Sequence, residues 1–249
     1  MKKPLHNLLY KLWQLRGVDR WESLMADLSH AIALERFGPR LARRILWRVT
    51  TQEKIIALSF DDGPHPRYTP EILDLLDEHQ IPATFFLIGR HVRRHPELAR
   101  RLASGPHEIG NHTFNHDMLP FLRTEKIIHE IRQTGEVLAE VTGRSAKYFR
   151  PPMGLFTRRV VDLVKSCGYE MVIGDVYPRD PHRPGREKIY HRVISRTRPG
   201  SIIILHDGGN TRDVERNQTV WATRQIVRHL QRENYRFVTI SELACLDGQ

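Results

Sequence analysis

Two pairs of residues in this chain have the types and the spacing that hydrolytic chemistry uses. The adjacent aspartates Asp61 and Asp62 lie in the segment SFDDGPHP, directly after the apolar run IIAL. His112 and His116 lie four residues apart in NHTFNH, a spacing that puts two imidazoles on one face of a helical turn, where both can reach one ion. Two neutral nitrogens and one carboxylate would make a three-ligand metal site with positions left open to water, as catalytic sites have.

Both pairs also have an ordinary structural explanation. Asp-Asp-Gly-Pro is common turn chemistry, and a chain with 14 histidines contains chance pairs at this spacing. Neighbouring side chains of a strand point to opposite faces, so the two aspartates can serve one site only where the strand has ended and the chain turns. A glycosidase with two carboxylates is disfavoured, because adjacent residues cannot stand on opposite sides of a sugar ring.

The bulk properties indicate one large globular domain with a basic surface. The chain has 249 residues, long enough for a single α/β barrel. Its 39 Lys and Arg against 29 Asp and Glu give a net charge of +10, which favours anionic lipid, nucleic acid or phosphorylated glycans as neighbours. Cys167 and Cys245 form no CxxC, so neither a disulfide scaffold nor a thiolate metal site is indicated.

Short apolar runs alternate with amphipathic segments from Lys54 onward. Seven strands are predicted at KIIALSF, ATFFLIG, HEIGN, KYFRP, EMVIGD, SIIILHD and RFVTIS. Strict alternation implies parallel strands with crossover helices, in an open sheet or a closed barrel. A barrel is favoured because reactive residues follow successive strands, whose ends converge on one mouth in that fold; these residues are Asp61, Asp62, His112, Arg150, Asp175, His206 and Asp207.

Residues 1–50 stand outside this alternation and are predicted to form a basic, amphipathic helical extension before a catalytic domain over 51–249. The N-terminus begins like a signal peptide, but Lys11 interrupts the apolar stretch, no small-residue cleavage site follows, and no apolar run could span a bilayer. A cytoplasmic protein is therefore expected. The extension could pack on the barrel or lie on the inner face of an anionic membrane, through Leu12, Trp13, Leu15, Leu24 and Trp47 with Lys3, Lys11, Arg16, Arg20, Arg43 and Arg44.

Five segments in order make the chain resemble a known family. They are SFDDGP, HTFNH, FRPPMG, GDVYPRDP and IILHD, and they are similar to the five motifs of the polysaccharide deacetylase family, the NodB-homology domain of carbohydrate esterase family four. The similarity spans about Ile55 to Ile240, and the first two motifs are highly specific in combination.

This resemblance implies a distorted (β/α)7 barrel and a metal-dependent hydrolase of N-acyl groups on amino sugars. Carried over position by position, Asp62, His112 and His116 would hold a divalent ion, usually zinc, with cobalt or nickel as alternatives. Asp61 would be the general base. The strand exit would then turn two neighbouring carboxylates towards two different tasks.

The remaining motifs imply the other groups of the reaction. The backbone N–H of Met153 would stabilise the oxyanion, and His206 would be the acid that protonates the leaving amine. Arg150 would hold Asp61 ionised and pair with an aspartate of the fourth motif, for which Asp180 is preferred and Asp175 is the alternative.

Two positions depart from the family pattern. Most members have an aromatic residue where this chain has Met153, and many have Trp where it has Pro181. A sugar-facing aromatic surface is therefore missing, and the packing around His206 must differ.

The expected function is removal of N-acetyl or other acyl groups from an amino sugar in a polysaccharide, oligosaccharide or lipid-linked glycan. The alternatives are a deacylase of a non-carbohydrate small molecule on the same fold and a catalytically silent, basic glycan-binding barrel. The retention of base, ligands and acid favours an enzyme, since a binding protein needs none of them. The expected partners are the glycan substrate and an anionic membrane surface, and nucleic acid is not expected.

Overall fold

The computed structural model of the protein describes residues 44–211 and 214–246. Within them, eight parallel strands form one sheet: β1 (Ile45–Leu46), β2 (Ile55–Asp61), β3 (Thr84–Leu87), β4 (Glu108–Asn111), β5 (Tyr148–Phe149), β6 (Glu170–Val172), β7 (Ile202–His206) and β8 (Arg236–Val238). Their order in the sheet is β1-β6-β5-β4-β3-β2-β7, and β8 pairs with β2. The predicted α/β class and all seven predicted strands are confirmed, and β1 is an additional strand.

Helices connect the strands and cover the outside of the sheet. They are α1 (Tyr68–Glu78), α2 (Gly89–Arg94), α3 (Pro96–Ser104), α4 (Thr124–Thr142), α5 (Arg158–Ser166), α6 (Arg186–Ile194), α7 (Asn217–Arg232) and α8 (Ile240–Ala244). Short 3-10 turns lie at Leu119–Phe121, Pro152–Gly154 and Asp180–His182. In the part of the chain that the structure describes, no helix is both long and apolar enough to cross a membrane.

The sheet curls into a distorted barrel with one narrow seam. No ladder joins β6 to β7 within the described residues. Instead Val176, beyond the end of β6, makes a single bridge to Ile203 of β7. The N–H of Ile204 donates to the carbonyl of Val176 at 2.9 Å. The seam therefore rests on a few hydrogen bonds.

β1 lies within residues 1–50, which are predicted to be a helical extension. Ile45 pairs with Met171 and Leu46 with Val172, so this short strand extends the sheet beyond β6. The N–H of Val49 donates to the carbonyl of Gly200 at 3.0 Å. Gly200 has a φ of +79°, and an added Cβ would lie 1.9 Å from the carbonyl oxygen of Val49, so this approach requires glycine. Residues 44–50 therefore belong to the sheet, and the predicted helices of residues 1–43 lie outside the described residues.

The alternation of side chains along β2 decides what faces the barrel interior. Ile56, Leu58 and Phe60 point outward into the largest core cluster, between sheet and helices. Ile55 and Ala57 point the other way, into a second core that also contains Phe86, Tyr148 and Val172. Ser59 and Asp61 have the same parity as Ile55, so a strand that is buried throughout ends with a carboxylate at the inner face.

Candidate active site

β2 places the two adjacent aspartates at one mouth by ending between them. Asp61 is the last residue of the strand, and Asp62 has a φ of +74°. This left-handed conformation is uncommon outside glycine and re-aims the chain, so both carboxylates reach the same cleft. Asp61 is 4% exposed and Asp62 6%, which makes a plain surface turn a poor description of this segment.

Asp62, His112 and His116 come together as a buried cluster. The Nε2 atoms of His112 and His116 lie 3.3 Å and 3.1 Å from Oδ1 of Asp62. One potential ligand atom from each residue lies within 4.8 Å of the others. The four-residue spacing does not come from a helical turn, because the segment after β4 is an irregular loop with φ of +65° at Thr113 and +61° at His116.

Local hydrogen bonds hold this loop. Asn111 accepts the N–H of Thr113 at 3.0 Å through Oδ1, and the Thr113 hydroxyl accepts the N–H of His116 at 3.0 Å. Glu130 of α4 is fully buried, and its Oε2 accepts the N–H groups of Phe114 at 3.1 Å and Asn115 at 2.7 Å. The loop that carries the histidines is thus fixed from its own chain and from a neighbouring helix.

The potential ligand atoms of this cluster suit a bound cation. Nδ1 of His112 lies 2.7 Å from the carbonyl oxygen of Arg150, so Nδ1 carries the proton and the lone pair of Nε2 faces Asp62. Oδ1 of Asp62 is buried and accepts no well-directed hydrogen bond from the described residues. Burial would raise the pKa of Asp62, but His116 and His112 lower it well below its usual range. One carboxylate oxygen and two imidazole nitrogens, buried and turned towards one point, match the site of a divalent ion.

Asp61 is paired with Arg150 inside the barrel. The guanidinium Nη1 lies 2.6 Å from Oδ1 of Asp61 and donates to the hydroxyl of Ser59 at 2.9 Å. The guanidinium also lies over the ring of Phe86, 4.0 Å from its centroid. Burial lowers the pKa of Arg150 from its ordinary value, and the charge of Asp61 opposes that effect. The pair keeps a carboxylate aimed at the cleft.

His206 at the end of β7 is paired with Asp180. Its Nδ1 lies 3.0 Å from Oδ1 of Asp180, while Oδ2 accepts the N–H of His206 at 2.9 Å and the hydroxyl of Thr219 at 2.9 Å. Burial alone would lower the pKa of His206, but the charge and hydrogen bond of Asp180 raise it to about 9. His206 is therefore protonated at neutral pH and can donate.

Among the described residues, Arg150 does not form the predicted ion pair with Asp180. Asp180 binds His206 and Thr219 instead, because the turn Asp180–His182 sits beside β7. The alternative, Asp175, accepts the N–H of Ile202 at 2.9 Å and the hydroxyl of Ser201 at 3.1 Å. Arg150 thus acts on the carboxylate of Asp61, and Asp180 acts on the imidazole.

One cleft contains all of these groups. Its lining includes Asp61, Asp62, His112, His116, Arg150 and His206, together with Met153 and Pro181. Met153 lies in the turn Pro152–Gly154 with a φ of +57°, so the backbone itself turns at the cleft wall. The two departures from the family pattern therefore both border the candidate site.

Four further residues belong to the site, and only Asp207, at the end of a predicted strand, had a usable signal in the sequence. Glu130 lies inside α4 and Thr219 in the first turn of α7, and a buried polar contact across the fold leaves no local pattern at either position. Trp47 lines the cleft from the segment after β1. Asp207 is fully buried, binds the hydroxyl of Thr69, and has its pKa raised by burial to about 7.

Comparison with known proteins agrees with this geometry. The model of a family described as polysaccharide deacetylase matches residues 48–172. A peptidoglycan-N-acetylglucosamine deacetylase of Bacillus cereus is 42% identical over 201 residues, covering 80% of this chain and 92% of that protein. A chitooligosaccharide deacetylase of Azorhizobium caulinodans is 36% identical over 196 residues, covering 76% of this chain and 93% of that protein.

Solved structures show the same similarity. The crystal structure of a peptidoglycan N-acetylglucosamine deacetylase in complex with 4-naphthalen-1-yl-N-oxidanyl-benzamide has a TM-score of 0.76 at 29% identity, covering 80% of this chain and 92% of that one. A CE4 family pseudoenzyme from Bacillus anthracis has a TM-score of 0.73 at 26% identity, covering 80% and 68%. Since the fold also occurs without activity, the residues of the cleft must carry the functional argument.

Proposed function

This chain belongs to the polysaccharide deacetylase family and is a carbohydrate N-deacetylase, and from that premise we propose that it removes acetyl groups from N-acetylglucosamine units of a glycan. The observation that carries the proposal is that the Arg150-paired Asp61 and the Asp180-paired His206 lie in one cleft, beside a candidate metal cluster. A binding protein would need none of these pairs. Named relatives act on peptidoglycan and on chitooligosaccharides, which supports an N-acetylated amino sugar as the shared substrate unit.

Asp62, His112 and His116 would hold the divalent ion, and we propose zinc, because two imidazoles and one carboxylate suit it and leave positions open. A bound divalent ion supplies a Lewis acid that activates water and polarises the amide carbonyl. Cobalt or nickel would fit the same donors.

The protein's own groups then move two protons. Asp61, whose Oδ1 lies 2.6 Å from the guanidinium of Arg150, takes a proton from the water that attacks the acyl carbon. His206, held protonated by Asp180, gives a proton to the amide nitrogen as the carbon–nitrogen bond breaks. The products are acetate and a free amino sugar. The backbone N–H of Met153, at the cleft wall, is proposed to donate to the oxyanion.

The two aspartates give the sharpest test of this assignment. Asp61→Asn should keep about one divalent ion per chain and lose most of the turnover, whereas Asp62→Ala should lose the ion itself, since one residue is a base and the other a ligand. Metal content by atomic emission and acetate release from N-acetylglucosamine oligomers would measure both. Equal metal content and equal residual rates in the two variants would contradict the assignment. A wild-type protein that binds metal and releases no acetate from any amino-sugar oligomer would overturn the proposed function.

We also propose that the basic N-terminal sequence contacts an anionic membrane surface, at the inner face in the cytoplasm. Lys3, Lys11, Arg16, Arg20 and Arg43 support it, each basic residue near an acidic surface contributing about 1 kcal/mol. Two residues of the predicted membrane-contacting set make other contacts. Arg44 pairs with Asp162 at 2.7 Å, and Trp47 lines the cleft.

Sedimentation with vesicles tests this second proposal. The full chain should sediment with anionic vesicles at low salt and stay in solution with neutral ones, and a variant starting at residue 44 should lose that difference. Equal sedimentation of both proteins would reject it.

A further inference from the structure

The cleft has a polar half and an apolar half. The polar half consists of the groups assigned to metal and proton transfer. The apolar half is made by Trp47, Met153, Ile173, Tyr177, Pro181 and Ile204. Catalysis by the polar half leaves open what the apolar half binds.

Its floor is rigid and aliphatic. Ile173 directly follows β6, Ile204 lies within β7, and they are only 5% and 7% exposed. Both belong to a core cluster that also contains Phe149 and Met171. Side chains anchored in this way have little freedom to change the size of the cleft.

Trp47 is the large side chain that borders this floor without being buried in it. The pairing of Leu46 with Val172 puts the next residue, Trp47, beside Ile173, whose N–H donates to the carbonyl of Leu46 at 2.9 Å. The indole packs on the same core cluster and lies 6.2 Å from the ring of Phe156, centroid to centroid. Trp47 also lies just outside the region matched by the family model, 48–172.

The chemistry of an amide decides which part of the substrate meets this surface. The carbonyl must lie among the charged groups, and the sugar carries hydroxyls that need polar partners. The alkyl end of the acyl group has no polar atom, so its contact with the apolar floor is favourable. Each buried CH₂ group contributes about 0.8 kcal/mol of binding free energy. Met153 and Pro181 offer no aromatic surface to the cleft, and Trp47 provides one from the segment after β1.

We propose that Trp47 sets the size of the acyl group that the site accepts, by closing the apolar end of the cleft so that acetyl fits and longer chains do not. The inference rests on the proposed function and adds to it a residue that determines specificity. The position of Trp47 in the cleft depends on the pairing of β1 with β6.

Matched substrates and variants test the proposal with the metal-loaded full chain. The substrates are glucosamine oligomers of one length carrying N-acetyl, N-propionyl or N-butyryl groups, and the readout is the ratio of kcat/KM for butyryl over acetyl. Trp47→Ala should raise this ratio by about tenfold or more, and Trp47→Phe by a smaller factor, since discrimination of one methylene in a pocket is worth about 10- to 200-fold. Trp221→Ala is the control, because Trp221 packs on α6 under Arg186, 4.6 Å from that guanidinium.

The control should keep the wild-type ratio. An unchanged ratio in Trp47→Ala, with circular dichroism showing a folded protein, would overturn the proposal. If that variant does not fold, Trp47→Phe decides, with a raised ratio supporting the proposal and an unchanged one rejecting it. Wild-type acetate release is read separately and tests the proposed function itself.

Discussion

Two single residues in this cleft each face an ionic partner. Asp61 faces the Arg150 guanidinium, and His206 faces the Asp180 carboxylate, which favours an imidazolium. A base and an acid that coexist at one pH need such separate environments. The partner of each group is therefore as much a determinant of activity as the group itself.

Replacing Asp180 should move the alkaline limit of activity. In the folded protein the pKa of His206 is raised to about 9, and burial acts against that rise. Asp180→Asn removes the opposing charge, so the pKa of His206 falls and the donor loses its proton at lower pH. The alkaline limb of kcat/KM should shift down by at least about one pH unit. A bound divalent cation lowers this pKa in both proteins, so the profiles must be compared with the same metal.

Asp175→Asn is the matched control for this change. Asp175 lies five residues earlier and bonds to Ser201 and the N–H of Ile202. Its variant should keep the wild-type alkaline limb, and a limb that moves equally in both variants would refute the pairing of Asp180 with His206.

Residue types and spacing were sufficient to predict which groups meet, but not how they pair. Asp61, Asp62, His112, Arg150 and His206 all lie at the end of a strand or directly after it, so a parallel barrel brings them to one mouth. Asp180 pairs with His206 rather than with Arg150 because its turn lies beside β7. There Oδ2 of Asp180 also accepts the hydroxyl of Thr219, which is 39 residues away in the chain. No local pattern in the sequence reports such a contact.

At the level of elements, the loop that carries His112 and His116 is supported by a helix outside the cleft lining, α4. Glu130 of α4 binds the backbone of Phe114 and Asn115, and Lys126 lies 2.7 Å from its carboxylate. A buried carboxylate with these partners fixes the loop in its left-handed conformations, which cost energy on their own.

Glu130→Gln should loosen the loop and weaken metal binding by about tenfold or more, because supporting contacts of ligands commonly carry that much affinity. The amide keeps the size of the side chain but cannot accept all the same hydrogen bonds. Competition with a chelator would give the metal affinity. Glu136→Gln, an exposed change on the same helix, should leave it unaltered. Wild-type affinity in Glu130→Gln would show that the loop needs no support from α4.

Strand β1 shows where sequence reasoning about elements failed. The segment RLARRILWRV has helix-like spacing of Leu, Ile and Trp, and it led to a helical prediction up to residue 50. Two of its residues pair instead with the free edge of β6, which offers backbone partners to any extended segment that reaches it. The seven other strands were longer or flanked by turn residues, so their patterns were readable.

At the scale of the whole molecule, β1 is the first strand of the described residues. Ile45 is 5% exposed and Val49 is fully buried, and each such side chain contributes about 1.5–3 kcal/mol by burial. A chain beginning at residue 51 should therefore be less stable by several kcal/mol than a chain beginning at residue 44. Urea unfolding of the two truncated proteins would measure the difference. Equal urea midpoints would mean that residues 44–50 make no measurable contribution to the stability of the fold.

The narrow seam between β6 and β7 has a consequence for how the molecule opens. Native proteins exchange amide hydrogens through local openings, and regions with few backbone bonds open first. The amides of Val176 and Ile204 should thus exchange with deuterium sooner than those of β3, which is hydrogen-bonded on both sides. Asp180 is bonded to the N–H of His206 in β7, and Trp47 lies beside Ile173 after β6, so separation of the two strands would widen the cleft on that side. A long polymer could then enter from the side, without threading a free end into the barrel.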